Sequence, residues 1–420
     1  MFITLNYAQF MHIHFALINK GVHKVMHIMH INNNNIYIYI KKKEVIHMKL
    51  KIQQKILMEH LNYAIKGISN KNLIPILNCI KFDLQNDGLY LMSTDNEIAI
   101  KTFIDKDKID AIEETGEIVI SGKYIYDIIR KMGNEVINIE EVIDSQILIT
   151  TQTSSFKLNC NNVSEFPNID LEFSKNPIIV NQQQFKKTIN QTIFATSTQE
   201  SRPVLTGINF KIKDNNLVCT ATDSYRLACK EINLSNDKVE DVDIIVPARN
   251  IIEVVKLLNN DEENIEMHIF ANKVIFNFNS ITMMTRLING NYPDTSKLIP
   301  EDFSLIIKVN LNNFYNAIDR ASLLTNEEEK NIIKLETKDD FLIISSNIPE
   351  IGNVEEKVEL LEKVDNNIKI AFSSKYMMDA IRVFEGKDIA LKFNGEIKPI
   401  IIDDAEGSNL IQLILPIRTY

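Results

Sequence analysis

Two aspartates are the residues of this chain best suited by type and position to acid–base chemistry. Asp95 and Asp223 each come directly after a β-rich run, in the pairs Thr94-Asp95 and Thr222-Asp223. Two carboxylates that face each other can serve as general acid and general base, as in glycoside hydrolysis. An aspartate in this place more often accepts hydrogen bonds from the backbone N–H groups of a turn. We therefore favour a turn role and keep a hydrolase that uses both carboxylates as an alternative.

The other residue types that carry chemistry form no recognisable site. Outside the first 47 residues, only His60 and His268 remain of the eight histidines. The chain has no glycine-rich phosphate loop, no nucleophile elbow and no metal-ligand spacing. The four cysteines lack CxxC spacing and lie in apolar runs, which predicts reduced and buried thiols at Cys79, Cys160, Cys219 and Cys229. The sequence thus predicts a protein that is not an enzyme and that holds no metal or cofactor.

Residues 1–47 differ in composition from the rest of the chain. They contain six of the eight histidines and an asparagine run at 32–35. A histidine-rich tract can bind metal, which is one interpretation of this segment. The segment has no apolar run as long as a membrane span and no cleavage-site pattern. We instead predict an unstructured or spurious N-terminal extension, with Met48 as the start of the folded protein.

One helical pattern occurs three times, at 121–132, 247–258 and 373–384, with a constant offset of 126 residues. In each copy a base, an acid and a second base stand at positions i, i+4 and i+7. This spacing places the three charges on one helix face, with the acid in reach of both bases. The triplets are Lys123/Asp127/Arg130, Arg249/Glu253/Lys256 and Lys375/Asp379/Arg382. Three copies at one offset predict three versions of one structural unit.

The repeat divides the chain into domains at 48–170, 171–300 and 301–420. Each unit opens with an amphipathic helix, continues with short β-rich runs such as 205–212, and ends with the charged helix and further strands. Short polar pairs recur after equivalent strands, at 94–95, 222–223 and 346–347. We predict an α+β fold with two helices on a largely antiparallel sheet in each domain. Domains joined end to end form an arc, which self-association can close into a ring.

Charge is segregated between the predicted helices and the remaining residues. The six helical segments carry a net charge of +6, whereas the whole chain carries −10, so the remainder carries −16. If all six helices line one side, that side attracts a polyanion through its phosphates without contacting bases. The alternative is a charged surface that only keeps the protein in solution.

Four stretches together resemble one known family. They are SRPVLTGINF at 201–210, ATDSYRLA at 221–228, LINGNYPD at 287–294 and QLILPIRTY at 412–420. Residues 48–420 are similar to the bacterial DNA polymerase III beta subunit, the sliding clamp, in its low-GC Gram-positive form. The resemblance implies three clamp-type domains, a head-to-tail homodimer, and a ring with helices inside and duplex DNA through the hole. It also implies a cytoplasmic, non-catalytic subunit that tethers the replicative DNA polymerase, the clamp loader and other proteins with clamp-binding motifs.

The resemblance further implies three sets of functional residues. A hydrophobic peptide-binding cleft between the second and third domains maps to Leu205, Thr222, Ser224, Tyr225, Arg226, Leu227, Pro293, Lys297, Leu298, Tyr376, Leu413, Ile414, Leu415, Pro416, Ile417 and Arg418. The DNA contacts map to Lys71, Lys123, Gln199, Pro203 and Val204. The dimer contacts map to Phe156 and Leu158 of one copy and to Leu323 and Leu324 of the other. Many family members carry Gly and His where this chain has Ser224 and Tyr225, and Arg226 or Arg418 is expected to orient the polar ends of the peptide.

A second function class is compatible with the same repeats. A scaffold built from the three domains would bind peptides through the cleft without ever encircling DNA. Retention on circular but not linear DNA distinguishes a clamp from such a scaffold.

Overall fold

The computed structural model describes residues 48–69, 73–142, 145–234, 239–258, 263–326, 331–364, 366–404 and 409–418. It also describes the backbone of residues 2–6, 26–32 and 35–40. In the described part of the chain, no helix is long and apolar enough to cross a membrane. The helices are α1 (Gln54–Ala64), α2 (Gly122–Lys131), α3 (Gln182–Thr192), α4 (Ala248–Leu257), α5 (Leu311–Ser322) and α6 (Ser374–Ile381).

The strands follow the repeat, with a small separate group at the N-terminus. That group is β1 (Phe2–Asn6), β2 (Met26–Asn32) and β3 (Asn35–Ile40). The first domain contains β4 (Lys49–Gln53), β5 (Cys79–Gln85), β6 (Gly88–Thr94), β7 (Ile98–Asp105), β8 (Ala111–Glu114), β9 (Gly116–Ser121), β10 (Val136–Val142), β11 (Gln146–Thr150) and β12 (Ser155–Asn159). The second contains β13 (Ile178–Asn181), β14 (Gly207–Lys213), β15 (Asn216–Thr222), β16 (Arg226–Asn233), β17 (Val242–Pro247), β18 (Asn264–Ile269), β19 (Lys273–Phe278) and β20 (Ile281–Arg286). The third contains β21 (Leu305–Asn310), β22 (Ile332–Lys338), β23 (Phe341–Ile348), β24 (Gly352–Glu359), β25 (Lys369–Ser373), β26 (Asp388–Phe393), β27 (Ile400–Asp404) and β28 (Leu410–Ile414).

The opening helices α1, α3 and α5 form for the reasons that the sequence indicates. In α1 the buried residues Leu57, His60, Leu61 and Ala64 keep the i, i+3, i+4, i+7 spacing of one helix face. Asn181 and Asn310 cap α3 and α5, because each side chain accepts a hydrogen bond from the backbone N–H three residues on, at 3.0 and 3.1 Å. Helices α1 and α3 continue into short 3-10 turns at Ile65–Gly67 and Ile193–Ala195.

Neighbouring domains share sheets. Strand β7 of the first domain pairs antiparallel with β20 of the second, and together they join two halves of one eight-stranded sheet. Strand β16 of the second domain pairs with β28 of the third and joins a second eight-stranded sheet. The predicted sheet of each domain is therefore two sheets, and at both internal boundaries the backbone hydrogen bonding is continuous.

The two ends of this array leave unshared sheets. The first domain ends in a five-stranded sheet whose last strand is β12, and the third domain ends in a four-stranded sheet whose last strand is β24. A sheet edge presents unpaired N–H and C=O groups, which favour pairing with another strand. Each domain has its own apolar core beneath its helices, with Phe82, Phe210 and Phe372 fully buried in the first, second and third cores.

Two features of the predicted repeat are corrected by the structure. Ser93 and Ser346 both donate a side-chain hydrogen bond to the last turn of the opening helix, to Ala64 O at 2.5 Å and Ala321 O at 2.6 Å. Ser346 is thus the counterpart of Ser93, one residue earlier than the predicted match with Thr94. Leu205 lies in a 3-10 turn, Pro203–Thr206, and not in the predicted strand, because Pro203 favours the start of a helical turn.

The charged triplets pair only in part as their spacing predicts. In each helix the acid contacts the second base, three residues on, at 2.8, 2.7 and 3.5 Å in Asp127–Arg130, Glu253–Lys256 and Asp379–Arg382. The first base of the second triplet has a different partner, since Arg249 pairs with Asp95 of the first domain at 2.9 Å. These helices therefore contribute ion pairs to the domain boundaries as well as charge to the surface.

The N-terminal strands form a sheet of their own. The backbones of β1, β3 and β2 pair antiparallel in that order, and this sheet includes no strand from the three domains. Six of the histidines fall on residues 1–47, whose side chains lie outside the described residues, so the metal interpretation of this tract stays a prediction. The expectation that the extension is unstructured or spurious also stays a prediction.

Deleting residues 1–47 is expected to leave the melting temperature within about 1 °C of the full-length value. The physical reason is that the deleted strands share no sheet with the domains. Differential scanning calorimetry of both proteins measures the effect, and the oligomeric mass of each serves as the control. A fall of several degrees would show that the extension packs on the first domain.

Candidate functional site

The two aspartates are turn residues, as the favoured interpretation predicts. Asp95 Oδ1 accepts hydrogen bonds from the backbone N–H groups of Glu97 and Ile98 at 3.0 and 2.9 Å. Asp223 Oδ1 does the same for Tyr225 and Arg226 at 2.9 and 3.0 Å. Their second oxygens accept from Arg249 and Arg226. Both carboxylates are thus held by the turn and by an arginine, and the geometry gives the hydrolase interpretation no support.

The histidines outside the extension are structural. His60 Nδ1 lies 2.6 Å from Thr102 Oγ1 inside the first domain, and burial lowers the pKa of His60 to about 4. It is therefore neutral at pH 7. His268 Nδ1 accepts the backbone N–H of Ser174 at 3.1 Å, and its ring stacks on Phe173 at 4.5 Å. His268 thereby fastens the linker between the first two domains.

The cysteines are free thiols, as predicted, but only two of the four are buried as predicted. Cys79 and Cys219 are buried, while Cys160 and Cys229 are half-buried. Burial raises the pKa of Cys160 to about 12, so this thiol is protonated at neutral pH and a weak nucleophile. Among the residues that the structure describes, no group of three His, Cys, Asp or Glu side chains could hold a metal ion.

The pairing of β16 with β28 brings several of the predicted cleft residues together. This pairing places Leu227 opposite Leu413 and Arg226 opposite Ile414, so that residues far apart in sequence become neighbours. Leu227 and Leu413 are buried and form a small apolar cluster with Ile401, which Ile299 and Phe303 of the linker cover. These two leucines therefore pack in the core of the boundary between the second and third domains. Leu205 is buried as well, in the 3-10 turn that precedes β14.

The chain end continues past its strand along the boundary. Strand β28 ends at Ile414, and Leu415 N–H then donates to Tyr225 O at 2.9 Å. Ile417 N–H donates to Ala371 O at 2.7 Å. Pro416, which lacks an N–H, stands between these two anchors, as expected of a residue that ends a ladder. Leu415 remains exposed, Pro416 and Ile417 are half-buried, and Arg418 is exposed.

Two tyrosines face each other across the boundary. Tyr225 of the second domain and Tyr376 of the third stack at 6.5 Å between ring centroids, with 25° between their planes. Tyr225 is more than half exposed, and burial, followed by the charge of Asp223, raises the pKa of Tyr376. The pair therefore offers an aromatic surface beside the apolar cluster.

Ser224 and Thr222, two predicted cleft residues, are polar, and Ser224 has a strained backbone. Ser224 has a φ of 78°, a left-handed conformation that glycine adopts more readily, and its hydroxyl accepts from Arg202 at 3.2 Å. Thr222 is buried and its N–H donates to the Tyr292 hydroxyl at 3.0 Å. Three further predicted cleft residues are exposed, namely Pro293, Lys297 and Leu298.

The sequence reasoning missed three residues at this site. Phe194 packs against the cores of both the second and the third domains. Asp223 and Asp379 hold the Arg226 side chain between them, at 3.1 and 2.7 Å. The signal was present for the acids, since Asp379 belongs to the third charged triplet, but its partner in the second domain follows only from the tertiary structure.

The boundary between the first and second domains has the same backbone hydrogen bond as the boundary between the second and third, but different side chains surround it. Arg286 N–H donates to Glu97 O at 2.9 Å there, as Leu415 N–H donates to Tyr225 O at the second boundary. Equivalent positions thus hold Arg286 and Glu97 in one case and Leu415 and Tyr225 in the other. The position of Tyr376 is taken by Asn250, which is buried and donates to Thr285 at 2.7 Å. Only the second boundary therefore presents apolar and aromatic side chains at these places.

The predicted DNA contacts lie partly beside the predicted cleft, since Pro203 and Val204 share a 3-10 turn with Leu205, whereas the dimer contacts belong to the first and third domains. Lys123, Gln199 and Pro203 are exposed and Val204 is half-buried, while Lys71 lies outside the residues that the structure describes. Phe156 and Leu158 lie on the edge strand β12, and Leu323 and Leu324 follow the end of α5. Phe156 and Leu323 are exposed, and Leu158 and Leu324 are half-buried.

Comparison with known proteins agrees with the three-domain architecture. Family models for the N-terminal, central and C-terminal domains of the DNA polymerase III beta subunit match residues 48–170, 179–294 and 296–418. Beta sliding clamps of Staphylococcus epidermidis and Staphylococcus aureus are each 38% identical over 377 residues, which is 89% of this chain and 100% of theirs. The crystal structure of the DNA polymerase sliding clamp from Bacillus subtilis is similar with a TM-score of 0.86 and 36% identity, over 89% of this chain and 100% of that one.

Proposed function

Because this chain belongs to the DNA polymerase III beta subunit family, the bacterial sliding clamps, we propose that it encircles duplex DNA as a head-to-tail homodimer. The resemblance to the low-GC Gram-positive form agrees with the staphylococcal and Bacillus relatives. The protein is a non-catalytic processivity factor. The ring is supported mainly by the shared sheets, which join the domains within the chain and leave β12 and β24 as edge strands in the first and third domains. We place it in the cytoplasm, where its DNA partner lies.

The repeat defines how the two edges fit. Ile100, Ala228 and Val354 are equivalent, because they pair with the equivalent residues Ser93, Ala221 and Ser346. Across the internal boundaries Ile100 pairs with Met283, and Ala228 pairs with Gln412. Phe156 of β12 holds the same place in its sheet as Met283 and Gln412. If the two edge strands pair in the register of the internal boundaries, Val354 of one copy therefore lies opposite Phe156 of the other.

Exposed apolar side chains lie on the surfaces of the first and third domains. Leu323 is 78% exposed, Ile351 71%, Tyr124 61% and Phe156 39%. In the repeat, Leu323 is the counterpart of Phe194, Ile351 of Tyr225 and Tyr124 of Tyr376, all of which meet across the second boundary. Closure of the ring would cover these side chains with the other copy, and burial of apolar area is the main favourable term in association.

The cleft is proposed to bind short peptides of polymerases, clamp loaders and repair proteins. Its apolar surface around Leu205, Leu415 and Ile417, with the two tyrosines, suits peptides that carry aliphatic and aromatic anchors. Arg418 is exposed and able to pair with a polar end of the peptide. A short peptide forms only a small interface with such a cleft. Small interfaces bind at roughly micromolar strength, which allows partners to exchange.

The bases on the charged helices are proposed to face the DNA backbone. Reversing Lys123 and Lys375 to glutamate should reduce the slope of log affinity against log salt by about 2, since each lost phosphate contact removes roughly one unit. Arg249 is left intact because it pairs with Asp95. Fluorescence anisotropy of a short labelled DNA duplex titrated with the protein at several salt concentrations measures the slope.

The matched control reverses two exposed lysines, Lys106 directly after β7 and Lys213 at the end of β14. It changes the net charge equally and should leave the slope within about 0.5. Equal effects of the two double variants would mean that net charge alone governs binding.

Retention on circular DNA is the experiment that tests the clamp. Protein loaded on nicked circular DNA should remain bound through gel filtration and leave when the DNA is linearised. A scaffold that only binds peptides would elute free of both DNAs. Equal retention on circular and linear DNA would show binding by affinity instead of encirclement.

A further inference from the structure

Arg226 is enclosed by groups from two domains. Its Nε donates to Asp223 at 3.1 Å and its Nη1 donates to Asp379 at 2.7 Å. Its guanidinium carbon lies 4.6 Å from the centre of the Tyr376 ring and 5.3 Å from that of Phe194. Only 11% of the side chain is exposed.

This environment limits what Arg226 can bind. Two carboxylates already compensate its single charge, and two aromatic rings lie close to it. A planar guanidinium is suited to hydrogen-bond carboxylates and stack on rings at the same time, whereas a lysine ammonium is not. The arginine therefore differs from Arg418, which is exposed.

The contacts connect the two walls of the cleft. Asp223 and Phe194 belong to the second domain, while Asp379 and Tyr376 belong to α6 of the third. Tyr376 also stacks with Tyr225 at 6.5 Å. Arg226 thus contacts the Tyr376 ring of the third domain and the Asp223 carboxylate of the second at the same time.

The first boundary lacks this arrangement. In the repeat, Ile98 occupies the position equivalent to Arg226, and Asn250 occupies the position equivalent to Tyr376. The acid equivalent to Asp379 is Glu253, which pairs with Lys66 at 3.7 Å and with Lys256 at 2.7 Å. The enclosed arginine occurs at the boundary that carries the proposed cleft.

We propose that Arg226 is a positioning residue of the peptide cleft, which holds Tyr376 in place so that the aromatic wall is formed before the peptide arrives. It acts through Tyr376 and makes no ion pair with the peptide. A preformed wall raises affinity because less side-chain freedom is lost on binding. This inference rests on the proposed peptide-binding function.

Two labelled peptides of the Gln-Leu-x-Leu-Phe type, with Asp or Ala at the central x, test the proposal by fluorescence anisotropy. Arg226→Lys should weaken both peptides about tenfold, since lysine keeps the charge and loses the planar stack. In a Tyr376→Leu background the same change should alter affinity by less than about twofold, because the ring to be positioned is gone. Circular dichroism melting and oligomeric mass report whether each variant keeps its fold.

A second variant keeps the test valid if Arg226→Lys is unstable. Asp379→Asn leaves the arginine in place but removes one carboxylate, and it should weaken both peptides without favouring the aspartyl one. A loss confined to the aspartyl peptide, or an equal loss with and without Tyr376, would overturn the positioning role. Unchanged affinity in both variants would overturn it too. Failure of the wild-type protein to bind either peptide would instead refute the proposed cleft.

Discussion

Replacing Leu323 by aspartate is expected to convert the dimer into folded monomers at micromolar concentration. Leu323 is 78% exposed in the single chain, so the new charge does not disturb the fold. In the closed ring it would be buried beside Asp127 of the other copy, because the equivalent pair at the first boundary is Lys66 and Glu253. A buried, unpaired charge opposes association by roughly 3–5 kcal/mol, a factor of hundreds or more in the dissociation constant.

Light scattering after gel filtration gives the mass, and retention on circular DNA gives the functional consequence. Ile397→Asp is the matched control, since Ile397 is 67% exposed and lies in the turn between β26 and β27, away from both edge strands. The control should remain dimeric. A several-hundredfold rise in the dimer dissociation constant should be visible at about 1 μM protein. A Leu323→Asp protein that is still dimeric at that concentration would refute the assigned interface.

The proposed register has its own measurement. Cysteines introduced at Phe156 and Val354 face each other if the edges pair as the internal boundaries do. Mild oxidation of the double variant should then yield a covalent dimer, whereas each single variant should stay uncrosslinked. Crosslinking only when the second cysteine is at 353 or 355 would place the register one residue away.

Removing residues 415–420 should abolish peptide binding and spare the fold and the dimer. The ladder between β16 and β28 ends at Ile414, so the cut leaves the shared sheet intact and removes the backbone hydrogen bonds of Leu415 and Ile417. It also removes Leu415, Ile417 and Arg418 from the cleft wall. We expect affinity for a Gln-Leu-x-Leu-Phe-type peptide to fall more than about thirtyfold, or roughly 2 kcal/mol.

Fluorescence anisotropy with full-length and truncated proteins measures the loss. A chain that ends at Arg418 is the control and should bind like the full-length protein. If the longer truncation binds within about threefold of full length, a difference of roughly 0.7 kcal/mol, the cleft lies elsewhere.

The sequence by itself determined the repeated unit and much of its local structure. The offset of 126 residues located three equivalent helices, and all three are present as α2, α4 and α6. The turn roles of Asp95 and Asp223 were also predictable, since an aspartate accepts hydrogen bonds from backbone groups two and three residues on. Such interactions are local, so the order of residues is sufficient to indicate them.

The tertiary structure alone decided how the domains meet. Strand pairing between β7 and β20, or β16 and β28, joins residues more than 170 positions apart, and no local pattern specifies which strands become neighbours. Asp379 illustrates the consequence: its spacing from Lys375 and Arg382 predicted a surface ion pair, yet its shortest contact is to Arg226 of another domain. The difference between the two boundaries, polar at Glu97 and Arg286 but apolar at Tyr225 and Leu415, likewise became visible only when the shared sheets brought these residues together.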